Sequence, residues 1–143
     1  MADLPDINVW VALVFDGHVH HRFAAAWFES AAEGSAAFCR VTQMGLLRLI
    51  TNRKVMGEAV QSQRKAWAVY DALAADERVT WLAEPRGLEA RWRRYAASTL
   101  SATESWTDAY LAAFAAAHGL RLVTFDKGFR AFKDLQQHVL PGV

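Results

Sequence analysis

Three aspartates, far apart in the chain, each stand where an apolar stretch meets a turn or a helix start. Asp6 follows Leu4-Pro5, Asp108 sits in Ser105-Trp-Thr-Asp108 at the head of an alanine-rich segment, and Asp126 closes Leu122-Val-Thr-Phe-Asp126. In an α/β sheet, ligands bind beyond the carboxyl ends of parallel strands and at the helix starts beside them. Carboxylates converging there repel one another unless a hard divalent cation neutralises them. Mg²⁺ or Mn²⁺ suits such a place, because both favour oxygen ligands. Asn8, Thr107 and Thr124 add short oxygen-bearing side chains for contacts to water or ligand. Taken singly, each aspartate also has an ordinary role: a helix N-cap at Asp6, the acid of a capping box from Ser105 to Asp108, and a turn at Asp126-Lys127-Gly128.

Strands and helices alternate along the chain, as that placement requires. Residues 4–14 read as a short buried strand turning into a helix, with Asp6 or Asn8 at the junction. A helix follows over 20–32, then a strand over 36–41, and Thr42 is an N-cap for a helix to about Ile50. The basic stretch 51–57 reads as a loop, 58–74 as a helix, and 78–82 as a strand. Glu84-Pro85-Arg86 opens a helix that ends near Ser98. The clearest helix is 105–118, stopped by Gly119, and the clearest strand is 120–125. A helical turn at 129–132 and an edge strand at 138–140 complete the chain. This order implies an α/β fold with a mainly parallel central sheet flanked by helices.

The 143 residues are expected to form a single domain, 1–143; 53% are hydrophobic and 22% charged, which excludes a disordered chain. The net charge of +1 gives no overall basic field, so any nucleic-acid footprint must come from clustering. Cys39 is the only cysteine and reads as a buried, inert thiol, which excludes a disulfide framework or a cysteine zinc site. No basic segment followed by an apolar one opens the chain, and no apolar run approaches a membrane span. A cytoplasmic protein without a membrane partner is expected.

Five motifs, ordered as Leu4-Pro-Asp6-Ile-Asn8-Val, His18-Val-His20-His21, Thr42-Gln43-x-Gly45-x-Leu47-Arg48-Leu49, Thr107-Asp108-Ala109-Tyr110-Leu111-Ala112 and Thr124-Phe125-Asp126-x-Gly128-Phe129, are individually weak and jointly specific. Over nearly its whole length the chain resembles the PIN-domain ribonucleases, and within them the VapC-type toxins of bacterial toxin–antitoxin pairs. The resemblance implies a single PIN-like domain and an Mg²⁺- or Mn²⁺-dependent endoribonuclease cleaving RNA phosphodiester bonds. It matches Asp6 and Asp108 to metal-binding aspartates, Asp126 to the acidic position after the late strand, and Asn8 and Thr124 to polar neighbours. It also implies a small VapB-like antitoxin partner and a homodimer. Many PIN domains carry a glutamate on the third helix, where alignment brings Arg48; Arg48 then contacts phosphate or holds one of the aspartates. One acid fewer leaves one or two metal ions open. The alternative reading is a catalytically silent PIN-like module that binds RNA or a protein.

Other features compete for attention. His18, His20 and His21 fit capping, surface or partner contacts better than zinc. Arg48, Arg53 and Lys54, with Lys127 and Arg130, are candidate cations around the acids. Arg86, Arg91, Arg93 and Arg94 make a solvated helix face or an RNA-facing stripe. Trp27, Trp67 and Trp92 fall at core spacing, and Trp106 stands near Asp108 as a base-stacking candidate. Exposed apolar residues around Trp10, Phe23 and Trp67 are candidates for the antitoxin groove.

Overall fold

Residues 2–98 and 105–142 are described by a computed structural model. The strands are β1 (Asp3–Pro5), β2 (Ala36–Phe38), β3 (Val79–Trp81), β4 (Arg121–Thr124) and β5 (Gln137–Val139). The helices are α1 (Ile7–Val14), α2 (His21–Glu29), α3 (Arg40–Ile50), α4 (Arg53–Met56), α5 (Gln63–Ala74), α6 (Leu88–Ser98) and α7 (Ser105–His118). All four strand pairings are parallel, in the order β3-β2-β1-β4-β5. The sheet is thus the parallel α/β layer expected from the alternating pattern.

Short strands suffice because both sheet faces are covered. Ala36, Phe38 and Val123 join a core with α1, α2 and α3, where the Trp10 ring stacks on Phe38 with centroids 4.0 Å apart. Leu4, Ala37 and Leu122 join a second core beneath α7. Ala36 and Phe38 go to one face and Ala37 to the other, as strand alternation dictates. Below the amino end of β1, Asp3 accepts bonds from Arg121 Nε at 2.9 Å, Arg121 Nη2 at 3.0 Å and Trp27 Nε1 at 2.9 Å. This clamp ties β1, β4 and α2 together.

Several boundaries differ from the sequence-based expectation, each through local hydrogen bonding. Helix α3 starts at Arg40 because Cys39 takes the cap position and its amide donates to the Thr42 hydroxyl at 3.0 Å. The expected loop 51–57 contains α4, whose first turn is capped by Asn52 accepting from the Lys54 amide. The expected helix 58–74 starts only at Gln63, where Ser62 accepts from the Lys65 amide. Pro85 lies outside α6, which begins after Gly87 at φ +75°. Cys39 is buried as expected.

Candidate active site

The strand order reverses direction between β1 and β4: the chain steps from β1 to β2 and β3 on one side, then returns to place β4 on the other. Side chains just beyond the carboxyl ends of these two strands therefore flank a crevice, the usual ligand site of such sheets. Asp6 directly follows β1, and Asp126 stands two positions beyond β4. The parallel register Pro5 to Val123 and the bond from the Asp6 amide to the Val123 carbonyl fix their relative heights.

Asp6 occupies the N-cap position of α1, yet its side chain makes no capping hydrogen bond. Its Oδ2 instead accepts from the Thr124 hydroxyl at 2.9 Å, within the buried end of the sheet. Thr124 Oγ1 in turn accepts from the Asp126 amide at 2.9 Å, so one hydroxyl links the Asp6 carboxylate to the Asp126 backbone. Asp6 is only 7% exposed. Burial pushes its carboxyl above the usual carboxylate range; the Thr124 hydroxyl and the nearby Ile7 and Asn8 amides pull it back, and Asp126 adds repulsion. Asp126 is exposed, and its Oδ1 accepts from the Gly128 amide at 2.7 Å, which leaves Oδ2 outside that turn.

Asp6, Asn8 and Asp126 line one cavity of about 400 Å³ with His18, Val19, His20 and Phe125. Asn8 is exposed on the first turn of α1. Two carboxylates and a carboxamide are oxygen donors of the kind a hard divalent ion takes. Mg²⁺ commonly uses one or two carboxylates, keeping its other positions for water and phosphate. A buried carboxylate facing a second acid is also favoured by positive charge. The donor set therefore fits such an ion. Among the described residues no group of three or more His, Cys, Asp or Glu side chains is arranged to hold a metal.

The other sequence candidates fall in different places. Asp108 is half-buried in the first turn of α7 and does not line the cavity. Because α7 runs into β4 through Gly119, its first turn lies toward the carboxyl edge of the sheet, on the face opposite α1. The Ser105 side chain lies outside the described residues, and with it the expected capping box. Thr107 is exposed. Arg48 is also exposed, and it lines a separate groove between α3 and α5 with Leu47, Thr51, Gln63, Ala66 and Trp67. Among the described residues, the cavity is lined by acids and histidines and not by Arg48.

Two tryptophan expectations are corrected. Trp10 is fully buried rather than part of an exposed groove, because the Phe38, Trp27 and Phe28 rings enclose it. Trp67, placed in the core by its spacing, is 50% exposed because α5 packs through Ala66 instead. Trp106 is 61% exposed and stands edge-on to Trp92. Arg93 in the basic run is paired with Glu89.

The histidines were legible as a cluster but not as part of the site. His21 Nδ1 bonds the Ala12 carbonyl at 2.7 Å and braces α2 against α1. His18 and His20 line the cavity beside the acids. The His20 ring stacks on Phe125 with centroids 4.6 Å apart. No helix of the described residues is long and apolar enough to cross a membrane.

The sequence matches the PIN domain family over residues 4–135. It is 46% identical over 142 residues to ribonuclease VapC41 of Mycobacterium tuberculosis, covering 96% of this chain and 97% of the relative. Ribonuclease VapC38 of the same organism is 35% identical over 125 residues, covering 87% and 85%. Among solved structures, M. tuberculosis VapC20, a toxin that cleaves the sarcin–ricin loop, superposes with a TM-score of 0.71 at 19% identity, over 98% of this chain and 100% of the other.

Proposed function

From the premise that this chain belongs to the PIN-domain family and is a homologue of the VapC ribonuclease toxins, we propose that it is a Mg²⁺- or Mn²⁺-dependent endoribonuclease, the toxin of a toxin–antitoxin pair. The observation that carries this reading is the buried Asp6 carboxylate joined through Thr124 to Asp126 at the strand-order reversal. Asp6 and Asn8 would hold the ion, Asp126 would complete the shell through water, and Asp108 would reach it from α7 directly or through water. When bound, the ion supplies Lewis acidity toward the phosphodiester and lowers the pKa of water.

The side chains divide the remaining work. The Thr124 hydroxyl holds Asp6 Oδ2, so the buried acid keeps one orientation as RNA arrives. Asp126, with Oδ1 committed to the Gly128 amide, accepts the proton of the attacking water at Oδ2. Exposed Lys127 and Arg130 beside Asp126 offset its charge along the approach of the polyanion. Structural relatives occur as VapBC pairs, including one from Rickettsia felis bound to promoter DNA, which superposes with a TM-score of 0.70 at 11% identity over 99% of this chain and 100% of the other. A VapB-like antitoxin is the partner proposed here, with a homodimer as the assembly and Arg48 as an RNA contact outside the cavity.

The test is cleavage of a structured-RNA pool in Mg²⁺ and in Mn²⁺ by antitoxin-free protein, compared with Asp6→Ala, Asp108→Ala and Asp126→Ala variants that retain wild-type circular dichroism. Cleavage lost with EDTA and with each substitution is the expected result. Intact RNA with well-folded wild type in both metals would overturn the nuclease and leave a silent RNA- or protein-binding module.

A further inference from the structure

Between α1 and α2 the chain makes a series of tight turns that fix one imidazole. His18 donates its amide to the Phe15 carbonyl and accepts the His21 amide on its own carbonyl, both at 3.0 Å. Its ring stands edge-on to Phe15, with centroids 6.4 Å apart. Gly17 permits that packing, since a Cβ there would lie 2.7 Å from Phe15 Cε1. The His20 amide then donates to His18 Nδ1 at 3.0 Å. A ring nitrogen that accepts carries no proton, so the imidazole is neutral with its hydrogen on Nε2. Burial, with the neighbouring His20 and His21, pushes its pKa down and favours the same form.

His18 lines the cavity of Asp6, Asn8 and Asp126. A lysine or arginine there would pair with the carboxylates. A neutral N–H contributes no charge for them to capture and can serve an incoming phosphate oxygen instead. Building on the nuclease reading above, we propose that His18 is an RNA-binding residue whose Nε2–H donates to a non-bridging phosphate oxygen of the strand entering the carboxylate cavity. The sequence motif His18-Val-His20-His21 then has divided duties: His21 braces the helices, His20 supplies the amide that sets the tautomer, and His18 touches substrate.

Two substitutions separate this contact from loop architecture. His18→Asn places Oδ1 near the position of Nδ1, keeps the bond from the His20 amide as an Asx turn, and removes the distal donor. His18→Gln restores an N–H near the position of Nε2. Binding of a fluorescent single-stranded RNA is measured by anisotropy in EDTA, and KM and kcat are measured in Mg²⁺. His18→Asn is expected to melt with wild type, to weaken binding and raise KM about tenfold, and to leave kcat within about threefold. His18→Gln is expected to recover most of that affinity. Because the donor is neutral, the salt dependence of binding keeps the wild-type slope in His18→Asn. Wild-type affinity and KM in His18→Asn, or a slope reduced by about one charge, overturn the proposal while leaving the nuclease intact. Wild type that neither binds nor cleaves RNA fails the parent reading as well.

Discussion

Gly45 lies in the middle of α3 with Ile7 of α1 pressed against it. A Cβ at this position would overlap Ile7 Cδ1 and lie 2.6 Å from Cγ1 and 3.0 Å from Cγ2. Three atoms of one β-branched side chain crowd the same point, so no single rotation of Ile7 clears them all. Ile7 is itself buried in the core with Leu46 and Ile50. Replacing glycine by alanine inside a helix ordinarily gains about 0.8–1 kcal/mol, whereas overpacking a core costs about 1–3 kcal/mol. With three atoms to displace, the overpacking cost falls in the upper part of that range, about 2–3 kcal/mol, so Gly45→Ala is expected to lose about 1–2 kcal/mol net and to lower Tm by about 3–6 °C for a chain of this size. Ile7→Val removes Cδ1 and alone costs about 1 kcal/mol. Combined, the two changes should cost less than their sum, with a coupling of about 1 kcal/mol. Urea denaturation followed by circular dichroism measures all four corners of the cycle. Since Ile7 adjoins Asp6, RNA cleavage should fall in Gly45→Ala and partly return in the double variant. Gly45→Ala as stable as wild type, or strict additivity with Ile7→Val, would refute the steric argument.

Four further outcomes follow from three other sites. Asp6→Asn keeps an oxygen for the Thr124 hydroxyl but removes a buried charge whose pKa is raised on folding. Metal-free wild type should lose stability as pH rises from 3.8 through that raised value; differential scanning fluorimetry should show Asp6→Asn without that loss. The same assay should show Mg²⁺ stabilising wild type by about 2.7 kcal/mol at a hundredfold excess over Kd and Asp6→Asn far less. Arg78 holds the Asp76 carboxyl down at about 2, against the usual 3.8, so that pair stabilises above pH 3.8 and is lost as pH falls toward 2. An acid titration of Asp76→Asn should lack that part of the transition. Asp3→Ala leaves Arg121 and the Trp27 indole N–H without their shared acceptor. With Arg121 partly solvated, a loss of about 2–4 kcal/mol is expected in chemical denaturation.

The sheet was legible because Leu120-Arg-Leu-Val-Thr and the glycine stop before it are strong local signals. The three-residue β1 was legible only as the lead-in to Asp6. Its stability comes from β4 and the Asp3 clamp, contacts 118 positions apart that no local pattern announces. Thr124 ends β4, and a strand end fixes where its side chain goes, here to the Asp6 carboxylate. Arg48 was brought toward the acids by helix alignment alone, whereas the turn of α3 carries it to the α5 groove. The histidines show the same limit in reverse. Their types were plain, but their place in the cavity lining comes from the packing of α2 against α1, a tertiary contact.

The pairing of β1 with β4 also sets a timetable. Asp6 leaves the ribosome 118 residues ahead of Thr124, whose hydroxyl orients it, and the acid across the crevice follows with Asp126. Throughout the intervening synthesis, the strand that becomes the centre of the sheet has one edge unpaired, and nothing upstream of β4 supplies the missing half of the pocket. The cavity therefore stays incomplete until β4 and Asp126 are in place. A messenger cut short or a polypeptide clipped before β4 yields a fragment without the complete carboxylate pocket.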